Sequence, residues 1–175
     1  MLPTTAEQVS FLAAMAEFRG EGRGGPDDAS MIGHEHQRFG STWSDPAGFA
    51  DYVRQLRADS LEETPRPLGY VPSTTWWWVD ETGYLGRIAV RHRLTPFLLE
   101  VGGHIGYDVR PSARLHGHAT AMLGAVLPHA RALGIDRALV TCDHDNVGSR
   151  KVIEANGGSF EDQRGQKLRY WVPTA

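Results

Sequence analysis

The run VRPSARLHGHATAMLGAVLPHARALG, Val109 to Gly134, constrains the fold more than any other part of the chain. Its second half carries Ala119, Met122, Leu123, Val126, Leu127, Ala130 and Leu133, which fall on one side of a 3.6-residue helix. Pro111 bars that helix from starting earlier, and Gly117 stands directly ahead of it. Upstream, GGHIGYDV reads as a strand. Strand, tight loop and amphipathic helix in that order point to an α/β chain. They also present the free N–H groups of the first helical turn at a sheet edge, where the helix dipole adds about half a positive charge. Anions bind at such a place. Gly117 lacks the Cβ that would hold a phosphate off the backbone, and Arg110 and Arg114 are expected to add mobile positive charge nearby. The loop suits a pyrophosphate.

Two common phosphate loops are excluded by their own chemistry. A P-loop follows its last glycine with Lys and then Ser or Thr, whereas Gly117 is followed by HAT. A dinucleotide fingerprint has three glycines, and only Gly117 stands in this loop.

The remaining elements can be placed around this unit. Thr4 and Glu7 have capping-box spacing, and Val9, Leu12, Ala13 and Ala16 form the expected buried stripe of a first helix that ends in GEGRGG. The segment DDASMIGHEHQRFGSTW reads as a loop. Asp45 as N-cap and Pro46 at the first helical position open a second helix with Phe49, Tyr52, Val53 and Leu56 inward. From Gly69 to Leu94 the pattern changes to β-branched and aromatic runs broken by DETG, a hairpin. LLEVGGHIGYDV, the helix of Ala119 to Leu133, the strand RALVTCDHDN, the helix of NVGSRKVIEANGG and one further strand complete the order.

Bulk properties narrow the function classes. With 175 residues, 41% of them apolar, the chain is expected to be one domain spanning 1–175. A formal net charge of −3 gives no basic field for nucleic acid or for an anionic membrane. The longest apolar runs are too short to span a bilayer, the start MLPTTAEQVS has no leader character, and the single cysteine, Cys142, has no partner in the chain; a cytoplasmic protein is expected. His34 to His36, with Asp143 or His144, lack a third ligand at motif spacing, so no metal is expected.

The stretch VRPSARLHGHA resembles the Val-x-Pro strand end and the Arg/Gln-x-x-Gly-x-Gly/Ala signature of the GCN5-related N-acetyltransferase (GNAT) superfamily. NVGSRKVIEANGG resembles that family's Asn-x-x-Ala/Ser-x-x-hydrophobic-x-Glu-x-x-Gly segment. The order of elements from Ala6 to Val172 agrees, and VPSTTWWWVD, RHRL and TCDHDN point to a bacterial subgroup of acetyltransferases. The resemblance implies a GNAT-like mixed, mostly antiparallel central sheet flanked by helices, with the family's fourth and fifth strands (GGHIGYDV and RALVTCDHDN here) splayed apart. It implies acetyl-CoA as co-substrate, held by Val109, Arg114, Leu115, His116, Gly117, His118 and Ala119 and by Asn146 and Ser149. The amide of Val109 is the expected oxyanion donor.

The same resemblance implies transfer of acetyl to the amine of a small-molecule or amino-acid-like acceptor by direct attack in a ternary complex. His104, Tyr107 and Ser149 are the catalytic candidates. His104 and Tyr107 have opposite parity on their strand, so only one can face the cleft. The family's tyrosine acid, seven residues after the asparagine, is Ile153 here, and Ser149 lies on the same helical face. Arg91 and Arg93 favour an acceptor carrying a carboxylate. Trp77 is expected opposite Trp76 and Trp78, one face in the core and the other lining an acceptor cleft or the contact of a possible homodimer. The alternative class is a non-catalytic acyl-CoA-binding sensor or scaffold.

Overall fold

Alternation along STTWWWVD sets the two faces of the sheet. The computed structural model describes residues 1–175, with Trp77 buried on one face and Trp76 and Trp78 half-buried on the other. The six strands are β1 (Ser73–Asp80), β2 (Gly83–Arg91), β3 (Ile105–Val109), β4 (Arg137–Asp143), β5 (Ser159–Arg164) and β6 (Lys167–Pro173), in the spatial order β1-β2-β3-β4-β6-β5. Every neighbouring pair is antiparallel except β3 and β4. The DETG hairpin forms as expected, with Asp80 paired to Gly83 and Asp80 Oδ1 accepting the Thr82 N–H.

One face carries α1 (Gln8–Gly20), α2 (Met31–Phe39) and α3 (Pro46–Ala58) over an aromatic core in which Phe11 meets Trp43, Trp77 and Tyr84 at centroid distances of 5.1–5.4 Å. The other face carries α4 (His118–Ala132) and α5 (Val147–Ala155) over Ile88, Val90, Ile105, Val140 and Val172. The α4 stripe is the expected one, with Met122, Leu123, Val126 and Ala130 buried. In α3, Asp45 accepts the Gly48 N–H at 2.8 Å and all four expected residues face inward. Trp76 and Trp78 face α4: Trp76 stacks on His129, and the Trp78 indole donates to His118.

Four expectations are corrected. The buried stripe of α1 is Phe11, Ala14, Met15 and Phe18, while Val9 is 83% exposed. Both sets satisfy helical spacing, and the set with two phenylalanines removes more apolar area from water. The segment read as a loop contains α2. Ser30 caps it by accepting the Gly33 N–H at 3.2 Å, and an ion pair from Glu35 to Arg87 ties it to the sheet. Leu98–Gly102 form a helical turn, and the third strand begins only at Ile105. Gly103, at φ +63°, ends that turn where an added Cβ would meet the Leu139 carbonyl oxygen at 2.6 Å. The C-terminal region is a hairpin of two strands, not a single strand.

Strand β3 pairs with β4 only at Ile105↔Val140, whereas β4 pairs with β6 at seven positions. Beyond Ile105 the sheet opens, and the ground between the C-terminal halves of β3 and β4 is taken up by a cavity of about 240 Å³. No helix is long and apolar enough to cross a membrane.

Candidate active site

The loop between β3 and α4 is a cradle of backbone donors. Pro111–Ala113 make one 3-10 turn, Leu115 takes a left-handed φ of +65° and Gly117 one of +82°. A leucine in that conformation costs of order 1 kcal/mol, and its side chain is fully exposed, so packing does not explain it. The consequence lies in the backbone: no protein group accepts from the N–H of Leu115, His116, Gly117, His118, Ala119 or Thr120. Such a run at a helix N-terminus suits a pyrophosphate. A Cβ on Gly117 would meet nothing within 4 Å on the protein side, so the space there is open to a ligand.

The arginines behave differently from expectation. Arg114 donates to both carboxylate oxygens of Glu21 at 2.8 Å and to the Val109 carbonyl at 3.2 Å. Arg110 pairs with Glu17, which also accepts from the Ser112 N–H and hydroxyl. Burial alone would raise the Glu17 pKa, but these donors outweigh it and hold it at about 2. Both guanidiniums are engaged by carboxylates of the chain. They tie the loop to α1, and the N–H groups of Leu115 to Thr120 stay unpaired. His118 is fixed by the Trp78 N–H on its Nδ1 at 3.2 Å, which assigns its proton to Nε2. His116 is exposed.

The cavity passes through the opened sheet. On the α4–α5 side it is lined by Tyr107, Cys142, Asn146 and Ser149, and on the α1–α3 side by Ser30, Met31, Arg91 and Asp108. Asn146 caps α5 by accepting the Ser149 N–H at 2.9 Å, which leaves its amide NH₂ free. The Tyr107 hydroxyl lies 2.6 Å from Ser149 Oγ. Burial, partly opposed by this bond, lifts the Tyr107 pKa to about 12, so the hydroxyl keeps its proton at neutral pH. Ile153 is fully buried in the core, so α5 presents no acid there; the structure brings a tyrosine to Ser149 from β3 instead. Arg110 donates to the Leu85 carbonyl, and by ladder alternation the Val109 amide faces away from β2, toward the opening.

His104 is not in the cavity wall. Its Nδ1 accepts the Leu139 N–H at 2.9 Å and its own N–H donates to the Leu139 carbonyl at 2.7 Å. The lone pair of the neutral ring is therefore engaged, and this catalytic candidate clamps β4 to the start of β3 instead of joining Tyr107 and Ser149 at the cavity. Burial, assisted by the Arg91 charge, lowers its pKa to about 4. Because the folded form resists protonation, this histidine contributes stability that is present above its unfolded pKa of about 6.5 and lost as pH falls toward 4, about 3 kcal/mol in all. His104→Asn, which keeps an acceptor near the Nδ1 position, is expected to flatten the stability slope between pH 6.5 and 4.5 in denaturant titrations. An unchanged slope would assign that titration to other groups.

Asp108 was not singled out by sequence reasoning. It sits in a part-buried chain that runs from Tyr52 through Glu35 and Arg87 to Asp108, then through Arg23 to Asp28. Arg87 is 1% exposed and links α2 to the sheet. Burial raises the Asp108 pKa against the opposing charges of Arg87 and Arg23. The only sequence signal was parity, since Asp108 is opposite in face to Tyr107. No three His, Cys, Asp or Glu side chains gather as metal ligands do.

No curated protein sequence matches the chain. Solved structures share its fold at low identity. The microcin C7 self-immunity acetyltransferase MccE, in complex with acetyl-CoA and AMP, is 11% identical with a TM-score of 0.64, covering 99% of this chain and 90% of that one. RimJ of Mycobacterium smegmatis, in complex with CoA-disulfide, is 15% identical with a TM-score of 0.64 over 97% and 78%. A ribosomal-protein-alanine N-acetyltransferase from Brucella melitensis is 12% identical with a TM-score of 0.60 over 99% and 98%. A family model described as acetyltransferase (GNAT) domain matches residues 27–159, which include the cradle and all of the cavity wall but Lys167, and on that match the chain belongs to the GNAT acetyltransferase family.

Proposed function

We propose that this acetyltransferase moves the acetyl group of acetyl-CoA to the amine of a small-molecule or amino-acid-like acceptor by direct attack in a ternary complex. The carrying observation is a single cavity with the hydroxyl pair of Tyr107 and Ser149 on the cradle side and Asp108 on the other. Acetyl-CoA fits the chemistry on the cradle side. The free N–H groups from Leu115 to Ala119 would hold its pyrophosphate, with Arg114 bracing the loop. The free amide of Asn146 and the edge of β3 would hold the pantetheine arm. Bound there, it supplies an activated acetyl thioester.

The chain's own residues then have separable tasks. An acceptor ammonium gives one proton to a base or to water, and its nitrogen bonds to the acetyl carbon as the carbon–sulfur bond breaks. The Val109 amide supports the carbonyl oxygen as it gains charge. The Tyr107 hydroxyl, relayed through Ser149, supplies a proton to the departing sulfur, and the second amine proton replaces it. Cys142 is buried, and burial raises its pKa, which leaves it a poor acyl carrier.

Thiol release from acetyl-CoA across an amine panel tests this reading. Tyr107→Phe is expected to lower kcat about 10²-fold with little change in acetyl-CoA affinity, and Cys142→Ala to keep most of the rate. Binding of acetyl-CoA without release of thiol for any amine favours the sensor class. An acetyl-enzyme trapped on the parent protein and absent from Cys142→Ala overturns direct transfer.

A further inference from the structure

Arg91 lines the cavity as a cation with no carboxylate partner. The other cations nearby are committed: Lys167 to Asp143 at 2.7 Å, Arg23 to Asp28 and Asp108, and Arg87 to Glu35. Arg93, its companion in the sequence, lies outside the cavity with both Nη atoms on Glu62. Arg91 uses only Nη1 within the protein, donating to the carbonyls of Gly102 and Gly103 at 2.9 and 3.1 Å, and its Nε and Nη2 donate to no protein group.

The β2–β3 register puts Arg87, Ala89 and Arg91 on the same face as Asp108, Gly106 and His104. Between the Arg91 guanidinium and the Asp108 carboxylate the floor is made of Ala89 and Gly106, paired with each other. A Cβ on Gly106 would stand 3.9 Å from Arg91 Nη1 and 3.0 Å from the Met31 sulfur, so a side chain there would crowd the space beside the guanidinium. The ladder sets Arg91 opposite His104, and its side chain reaches along the strand to the level of Gly106; Asp108 follows that glycine two residues on, a rise of about 7 Å. A small molecule bearing an ammonium and a carboxylate a few bonds apart spans that distance.

We propose that Arg91 determines acceptor specificity by taking a carboxylate in its free guanidinium edge while Asp108 faces the ammonium, which makes the acceptor a free small amino acid rather than a neutral amine or a polypeptide N-terminus. This rests on the acetyl-transfer reading above. A guanidinium edge bound to a carboxylate gives charge-assisted hydrogen bonds that neither an amide nor a hydrogen atom can replace. A polypeptide N-terminus has no free carboxylate at that position.

The test is thiol release with amino acids, each compared with its amide, its decarboxylated amine and a dipeptide that begins with it. The parent is expected to favour the acid in kcat/KM by about 10- to 100-fold. Arg91→Gln should bring the acid down to the level of its amide through KM, and Arg91→Lys should recover part of the preference. Since Arg91 also braces the Gly102–Gly103 turn, Gly106→Ala is the second variant: it leaves the guanidinium in place and is expected to raise KM for the acid, with thermal melts reporting folding. Equal parent rates on acid, amide and amine, or a preference for the dipeptide, overturn the carboxylate site while acetyl transfer stands. Acetyl-CoA binding with no turnover of any amine overturns the transfer reading and this one with it.

Discussion

Arg87→Met is expected to destabilise the protein by about 3–5 kcal/mol, read as a lower denaturation midpoint at constant slope. Arg87 is buried, pairs with Glu35 and stands 3.9 Å from Asp108, while Tyr52 donates its hydroxyl to the same Glu35. Removing the guanidinium leaves Glu35 without a cation beside an apolar core that includes Tyr52 and Tyr84, while Asp108 keeps Arg23, and desolvation of the unpaired Glu35 charge is the dominant cost. The guanidinium is not optimally satisfied, since Nε and Nη2 have no hydrogen-bond partner. Removing Glu35 and the Tyr52 hydroxyl together with Arg87, as Arg87→Met, Glu35→Leu and Tyr52→Phe, is therefore expected to recover much of the loss. If the single variant costs under about 1 kcal/mol, the pair is behaving as an exposed ion pair does, and the account of the part-buried chain is wrong.

Gly117→Glu is expected to abolish the stabilisation that acetyl-CoA confers. For a ligand at 100 times its Kd that gain is about 2.7 kcal/mol of apparent stability in the parent, measurable by thermal shift or calorimetry. Two causes act together. The carboxylate repels a pyrophosphate at the cradle, and a glutamate resists the φ of +82° at the N-cap of α4. Gly117→Asn separates them, because asparagine tolerates the left-handed region and carries no charge. The asparagine variant is expected to lose part of the ligand response and the glutamate variant all of it. A glutamate variant that responds like the parent places the phosphate site elsewhere.

The parts of the fold legible in the sequence are those decided within a turn or two of chain. The α4 stripe, the Asp45–Pro46 start of α3, the DETG hairpin and the cradle at Gly117 each follow from residues in immediate succession. The placement of Asn146 and Ser149 at the start of α5 follows in the same way from the order of residues in that segment. The face of α1 was misread because two sets of residues share one helical period, and only packing against Trp43 and Trp77 chooses between them. Helix α2 was missed because what secures it, Glu35 on Arg87, spans 52 residues of chain.

The chemistry of the site divides along the same line. Sequence alone determined that a tight glycine-bearing loop opens α4 and that Asn146 and Ser149 lie at the start of α5, since turns and helix starts are local properties. Tertiary structure alone decided the partners of the charges and hydroxyls: Arg110 and Arg114 on glutamates of α1, Arg93 on Glu62, Arg91 left facing the cavity, and the Tyr107 hydroxyl on Ser149. A guanidinium or a hydroxyl binds whatever complementary group the folded chain brings within about 3 Å. That group lies 93 residues away for Arg114 and 42 for Tyr107, distances over which no local pattern carries information.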